Sequence, residues 1–138
     1  MHIVTLFKQW WSDAAHTQRY ASLSSFERDA LARDVGLPEG TLHRIVNRGS
    51  RAGEELGRML RALSLNPEHV AEQNARVLRE MSITCTTCEA KKECRRDLAS
   101  GTAAQSFQRY CPNAPVLAEL EAERWAKREK LLMRIGVA

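Results

Sequence analysis

The 138-residue chain lacks any apolar run close to the roughly 20 residues that a membrane-spanning helix needs. Its first residues have neither a basic start nor a continuous apolar stretch, which is unlike a secretory signal. Internal repeats and low-complexity tracts are also missing. Because 43% hydrophobic and 28% charged residues are ordinary for a folded chain, we expect a soluble cytoplasmic protein of one compact domain, or of a small domain with an appendage.

Motifs of enzyme chemistry are equally missing from the sequence. There is no nucleophile elbow, no phosphate-binding glycine loop, no H-E-x-x-H and no paired-carboxylate arrangement. We therefore predict that the protein is not an enzyme and has no small-molecule substrate. The net charge of +4, from 21 basic and 17 acidic residues, permits DNA as a partner without establishing it.

Period-two alternation, the mark of strands, is not convincing anywhere, whereas helical periodicity recurs along the chain. The predicted fold class is all-α: a small multi-helix domain with a cysteine-ligated metal loop and a long C-terminal helix. We predict three segments. They are an amphipathic N-terminal helix within residues 1–22, a helical domain with a helix-turn-helix-like corner at 23–82, and a four-cysteine metal-binding segment with the C-terminal helix at 83–138.

The helix bounds follow from caps and apolar spacing. A stripe through Trp10 and Trp11 predicts a helix over residues 3–14, with an apolar face that suits packing on the domain or on a second copy. Ser24 or Ser25 is expected to cap a helix ending near Asp34, with Phe26, Ala30 and Leu31 facing inward. Further helices are predicted after Pro38 and over about residues 52–63, 67–81 and 115–135.

The four cysteines, Cys85, Cys88, Cys94 and Cys111, have the spacing C-x2-C-x5-C-x16-C-P. A reducing compartment keeps thiols free, so cysteines clustered in this way are expected to bind a metal rather than to form disulfides. The C-x2-C pair can present two sulfurs from one tight turn. The third ligand can come from the start of the next helix, and the fourth joins the last helix to the site.

Four thiolates suit either zinc or an iron–sulfur cluster. Zinc sites usually pair two knuckles, and here only one knuckle exists, while a terminal Cys-Pro also occurs in ferredoxin runs. The C-x2-C-x5-C core resembles the cluster loops of endonuclease III-type glycosylases and WhiB-like regulators, although both place the fourth cysteine upstream. A [4Fe-4S] cluster is therefore the prediction, and zinc is the alternative.

A metal-free role for the cysteines as small buried hydrophobic residues is a third possibility. The segment around them is strongly polar and offers little core to absorb four thiols. Five basic side chains in it would offset the negative charge of a thiolate centre: Lys91, Lys92, Arg95, Arg96 and Arg109. His69 could act as a ligand if one cysteine is not used.

The stretch from about Leu56 to Leu120 resembles a family of small alphaproteobacterial proteins classed as a domain of unknown function. The resemblance rests on Arg58-Met59-Leu60, on the cysteine spacing with Arg95-Arg96-Asp97-Leu98 after Cys94, and on Tyr110-Cys111-Pro112-Asn113-Ala114. It implies that the four cysteines act together and supplies no activity.

Residues 31–45 resemble a helix-turn-helix, with Ala32 at the crossing and Gly36 in the turn. If the second helix enters a DNA groove, the residues facing DNA are Thr41, His43, Arg44, Asn47 and Arg48. The alternative is a plain αα-corner in the core. Together these observations predict a redox- or oxygen-responsive regulator that acts on DNA, a protein partner or a homodimer. The alternatives are a zinc-stapled interaction adaptor and a small electron carrier.

Overall fold

The protein's structure, a computed structural model, describes residues 14–48 and 53–137. Within these two ranges the chain forms helices and no strand, so the predicted all-α class is confirmed. No helix in the described part of the chain is long and apolar enough to cross a membrane. The helix predicted over residues 3–14 lies almost wholly outside the described residues.

The chain divides into two compact units, Met1–Gly53 and Glu54–Ala138. The segment boundaries predicted after residues 22 and 82 stay predictions. The first unit contains α1 (residues 14–22), α2 (Ser25–Asp34) and α3 (Glu39–Arg48). The second contains α4 (Glu54–Ala62), α5 (Pro67–Gln73), α6 (Ala75–Thr86), α7 (Lys91–Ser100), α8 (Ala103–Tyr110) and α9 (Ala114–Arg134).

In the first unit, Ser24 caps α2, as the sequence predicts. Its hydroxyl accepts the Glu27 N–H at 3.3 Å, and the Glu27 carboxylate accepts the Ser24 N–H at 2.7 Å. The predicted inward face of α2 is wrong for Phe26, which is 73% exposed, and for Leu31, which is 38% exposed, whereas Ala30 is half-buried. The buried residue is Ala32, whose small side chain lets α2 contact α3.

The core of the second unit surrounds α4, which contacts α5, α6, α7 and α8. Leu60 of α4 and Leu117 of α9 are completely buried, and Met59, Met81 and Phe107 are nearly so. Because α4 presents its apolar side to four helices at once, it serves as the central element of this unit.

Two predictions about the middle of the chain are wrong, one about a helix and one about the cysteine segment. The single helix predicted over 67–81 is two helices, since Asn74 has φ −141° and ψ 54°, outside the helical region. The Asn74 N–H still bonds the Val70 carbonyl at 2.8 Å, and its own carbonyl accepts the Leu78 N–H. The break redirects the chain, and α6 then continues to Thr86.

The cysteine segment, expected to form a metal-binding loop, is mostly helical. It holds the end of α6 and the whole of α7 and α8, with Gly101 at φ +76° forming the turn between the last two. Burial of one face against α4 stabilises α7 and α8 although the outer faces are charged. The long C-terminal helix, α9, is confirmed close to its predicted bounds.

Candidate metal centre

The four cysteines lie on three neighbouring segments of the second unit. Cys85 is in the last turn of α6, and Cys88 lies just beyond it, with its N–H donating to the Cys85 carbonyl at 3.2 Å. Cys94 is the fourth residue of α7, at the start of the helix that follows the pair. Cys111 lies between α8 and α9. These positions agree with the sequence-based placement of each cysteine.

All four thiols are half-buried, and three of them, Cys85, Cys94 and Cys111, pack against the core of the unit. They are close enough to affect one another's ionisation. Burial raises the pKa of Cys94 to about 11, and the charges of Cys111, Cys85 and Cys88 add to the rise. Cys94 thus lies near enough to the other three predicted ligands for their charges to act on its thiol.

Within the described residues, no three Cys, His, Asp or Glu side chains are arranged to hold a metal ion as they stand. The donor set nevertheless has the chemistry of a soft-metal site, since four sulfurs are the ligands that zinc and iron–sulfur clusters take. The residues therefore fit such a centre in type and neighbourhood.

Backbone groups act on three of the four sulfurs. The Ala90 N–H donates a hydrogen bond to Cys88 Sγ at 3.3 Å. The backbone of Leu56 and that of Asn113 lower the pKa of Cys85 and Cys111 respectively, against the larger effect of burial. Hydrogen bonds of this kind stabilise the thiolate form of a cysteine and are a main control on iron–sulfur centres.

The three backbone groups share an origin, since each belongs to the amino end of a helix. Leu56 is the third residue of α4, whereas Ala90 and Asn113 are the N-caps of α7 and α9. The first N–H groups of a helix have no partner within it, and the helix dipole makes that end positive. Three helices thus direct their electropositive ends towards the sulfurs, an arrangement that favours negative charge there.

Burial acts in the opposite direction on the thiols. It is the largest influence on the pKa of Cys85 and of Cys111, and both values are raised above the usual value of 9.0. Without a metal, Cys85, Cys94 and Cys111 are therefore protonated at neutral pH. A metal that binds here must displace these protons, with the helix ends stabilising the thiolates that result.

A buried carboxylate, Glu55, lies beside the cysteines and was not found by sequence reasoning. It is 4% exposed and accepts hydrogen bonds from Lys91 Nζ at 3.1 Å and from Arg95 Nε. Burial opposes its ionisation, but the bonds from Arg95 and Lys91 outweigh this, and the pKa of Glu55 is lowered. The triad ties the start of α4 to α7, which bears Cys94.

The same contacts change the role that the sequence assigned to the basic residues. Lys91 and Arg95 neutralise Glu55, while Arg96 and Arg109 both approach Glu93, at 3.7 Å and 2.7 Å. Of these cations, Lys91 has a resolved effect on a thiol, since its charge lowers the pKa of Cys85 against the larger effect of burial. Most of the positive charge is thus paired with carboxylates.

Two further contacts frame the cysteines. Asp97 of α7 accepts the Ser106 hydroxyl of α8 at 2.5 Å, and so joins the helices that precede Cys111. The buried Asn113 side chain donates to the Met81 carbonyl of α6 at 2.9 Å. Asn113 thus fixes the start of α9 to the helix that carries Cys85.

The other predicted site residues lie in the first unit, on α3. His43, Arg44, Asn47 and Arg48 are exposed, and Thr41 is half-buried. His69, the substitute ligand, is on α5, where its backbone N–H donates to the capping Asn66 at 3.1 Å.

A family model described as a family of unknown function, DUF6455, matches residues 43–123, a range that contains all four cysteines. No curated protein and no solved structure matches the chain.

Proposed function

The chain belongs to the DUF6455 family of unknown function, and since membership supplies no activity, we propose a function from the cysteine cluster itself. The protein is a non-enzymatic metal-binding protein that carries a [4Fe-4S] cluster on Cys85, Cys88, Cys94 and Cys111. An alphaproteobacterial origin, and the four cysteines as a feature of the whole family, belong to the same proposal.

The observation that supports it most is the convergence of helix amino ends on the sulfurs. The Ala90 N–H at the start of α7 donates to Cys88 Sγ at 3.3 Å, and the backbone at the starts of α4 and α9 favours the thiolate forms of Cys85 and Cys111. A core of apolar side chains alone would gain nothing from three positive helix ends at one place. A four-thiolate centre with net negative charge would be stabilised by each of them.

The order of the cysteines along the chain favours a cluster over a single zinc ion. Zinc sites usually pair two knuckles, whereas this chain has one C-x2-C pair and a distant fourth cysteine before a proline. A [4Fe-4S] cluster takes one thiolate for each of its four irons, and a terminal Cys-Pro also occurs in ferredoxin runs. Zinc, as a structural staple in a protein-interaction adaptor, is the alternative.

The proposed role is that of a redox- or oxygen-responsive regulator acting on a protein partner, a second copy or DNA. When bound, a [4Fe-4S] cluster supplies one-electron redox chemistry and sensitivity to oxygen. The cysteines join the end of α6, the start of α7 and the junction of α8 with α9. Loss of the centre would release these three segments from one another, a change that a partner could detect.

A reducing compartment such as the cytoplasm suits this role, because the four cysteines are free and only half-buried. A small electron carrier is the remaining alternative. It would show a reversible redox couple without any change in partner binding.

The test is analysis of iron, zinc and acid-labile sulfide in protein purified without oxygen, together with its visible spectrum. We expect a brown protein with iron and sulfide in about equal amounts, and loss of both in Cys88→Ser. The matched control is Thr87→Ser, which keeps the hydroxyl that bonds the Ile83 carbonyl at 3.1 Å and should retain the full cluster. Zinc without sulfide would establish the adaptor alternative, and metal-free protein would overturn the proposal.

A further inference from the structure

The first unit presents a helix, α3, with an exposed outer face on which His43, Arg44, Asn47 and Arg48 lie. Among the described residues, the core of the unit contains Tyr20, Ala32 and Leu42, with Leu23, Leu37 and Val46 packed against them. Ala32 is 2% exposed and provides the close contact between α2 and α3. The inner side of α3 is therefore occupied by packing, and its other side is turned outward.

The connection between α2 and α3 is a short, well-defined turn. Gly36 has φ +69°, which glycine adopts without strain, and the Leu37 N–H returns to the Ala32 carbonyl at 2.9 Å. This turn and the packing at Ala32 together hold α3 against α2. The pair thus forms a helix-turn-helix in which the second helix is held rigidly with one side exposed.

The exposed side of α3 is rich in cations and hydrogen-bond donors. At 3.6 residues per turn, His43, Arg44, Asn47 and Arg48 fall on one side, opposite Leu42 and its apolar neighbours. Residues 40–48 contain no acidic side chain. Asn47 Nδ2 and His43 Nε2 lie 2.8 Å apart, a contact that orders both polar groups on the surface.

We propose that this face of α3 binds duplex DNA by entering its major groove. An α-helix fits that groove, where arginine recognises guanine and asparagine recognises adenine through paired hydrogen bonds. Arg44 and Asn47 have the side chains for both contacts. In this motif the first helix crosses the backbone, and the exposed Arg33 in the last turn of α2 suits a phosphate contact there.

The surface does not depend on the metal centre, since α1–α3 belong to a separate compact unit. The proposal of DNA binding rests on the proposed function only because it names DNA as the partner of the regulator. Double-stranded RNA is a poorer occupant, because its narrow major groove does not admit a helix.

The test measures binding of the full-length protein to duplexes selected from a randomised library, by fluorescence anisotropy over a range of salt concentrations. We expect binding that weakens as salt increases, and a loss of roughly tenfold or more for each of Arg44→Ala and Arg48→Ala. The charge-matched controls are Arg58→Ala and Arg76→Ala, exposed arginines of the second unit, and these should bind as the parent does.

Asn47→Asp adds a carboxylate to the face without changing its shape and should also lose DNA, with helical content unchanged by circular dichroism. Equal losses in the control variants, equal affinity for RNA duplexes, or no selected site at low salt would each overturn the proposal. The same preparations are analysed for iron and sulfide. Failure of the cluster would therefore appear in that analysis and leave the DNA result intact.

Discussion

Asp97 is the polar side chain that links α7 to α8, and it is nearly buried, with 6% exposure. The Ser106 hydroxyl bonds its carboxylate and is the main cause that lowers the pKa of Asp97 below its usual 3.8, helped by Arg96 and opposed by burial. The folded protein thus prefers the ionised carboxylate. The stability that it contributes is present above the usual pKa and is lost as the pH falls through the folded value.

The reduced, metal-free protein should therefore lose stability at acid pH, partly because Asp97 becomes protonated. We expect Asp97→Asn to lower the Tm at pH 7, and the difference from the parent to shrink as the pH falls to about 2. Ser106→Ala should weaken the same pH dependence while keeping the carboxylate. Thermal melts followed by circular dichroism measure this, and parallel curves for parent and Asp97→Asn would contradict it.

Glu55 shows how one residue can affect the site through its neighbours. Its carboxylate holds Lys91 and Arg95 of α7, and its negative charge raises the pKa of Cys85 and Cys94. The sequence separations of 36 and 40 residues explain why no local pattern indicated this residue.

Among the elements, the turn between α7 and α8 sets how Cys94 and Cys111 approach each other. It depends on Gly101, whose φ of +76° a side chain rarely adopts, although an added Cβ would meet nothing within 4 Å. The strain in Gly101→Ala is therefore one of backbone conformation and not of space.

We predict that Gly101→Ala lowers the free energy of unfolding by about 1 kcal/mol. Gly57→Ala, inside α4, should instead raise it by about 0.5–1 kcal/mol, because alanine favours a helix interior. Its added Cβ would approach only the flexible Arg61 side chain, at 3.4 Å. Urea denaturation of both variants measures these changes. A change of the same sign in the free energy of unfolding of both variants would contradict this explanation.

For the molecule as a whole, metal binding and proton release are linked. Burial raises the pKa of Cys85, Cys94 and Cys111, that of Cys94 to about 11, so each of these thiols must lose its proton before it binds a metal. With Zn²⁺ as a probe ion, we expect apparent affinity to fall as the pH falls. Calorimetric titrations in buffers with different heats of ionisation should give the number of protons released for each metal ion bound.

Cys94→Ser should release about one proton fewer than the parent in that titration. Thr87→Ser, which retains all four thiols, should match the parent. Affinity that does not change with pH would mean that the thiols are already ionised, contrary to the effect of their burial.

Local features of the sequence determined the all-α class, the Ser24 capping box, the Gly36 turn and the long final helix. Each depends on residues within a turn or two of one another, and such short-range preferences are readable without the fold. The C-x2-C-x5-C spacing of the cysteines likewise predicted Cys88 in a turn and Cys94 at the start of a helix. DNA contact by α3 and metal binding by the cysteines stay predictions.

Tertiary structure alone decided the rest. Phe26 is exposed and Ala32 is buried because the contact between α2 and α3, and not the hydrophobicity of each side chain, determines which side of α2 faces the core. The polar cysteine segment became helical because α4 covers one side of it. The starts of α4, α7 and α9 lie beside different cysteines because residues far apart in the chain pack together, and long-range packing of this kind leaves no pattern in the sequence.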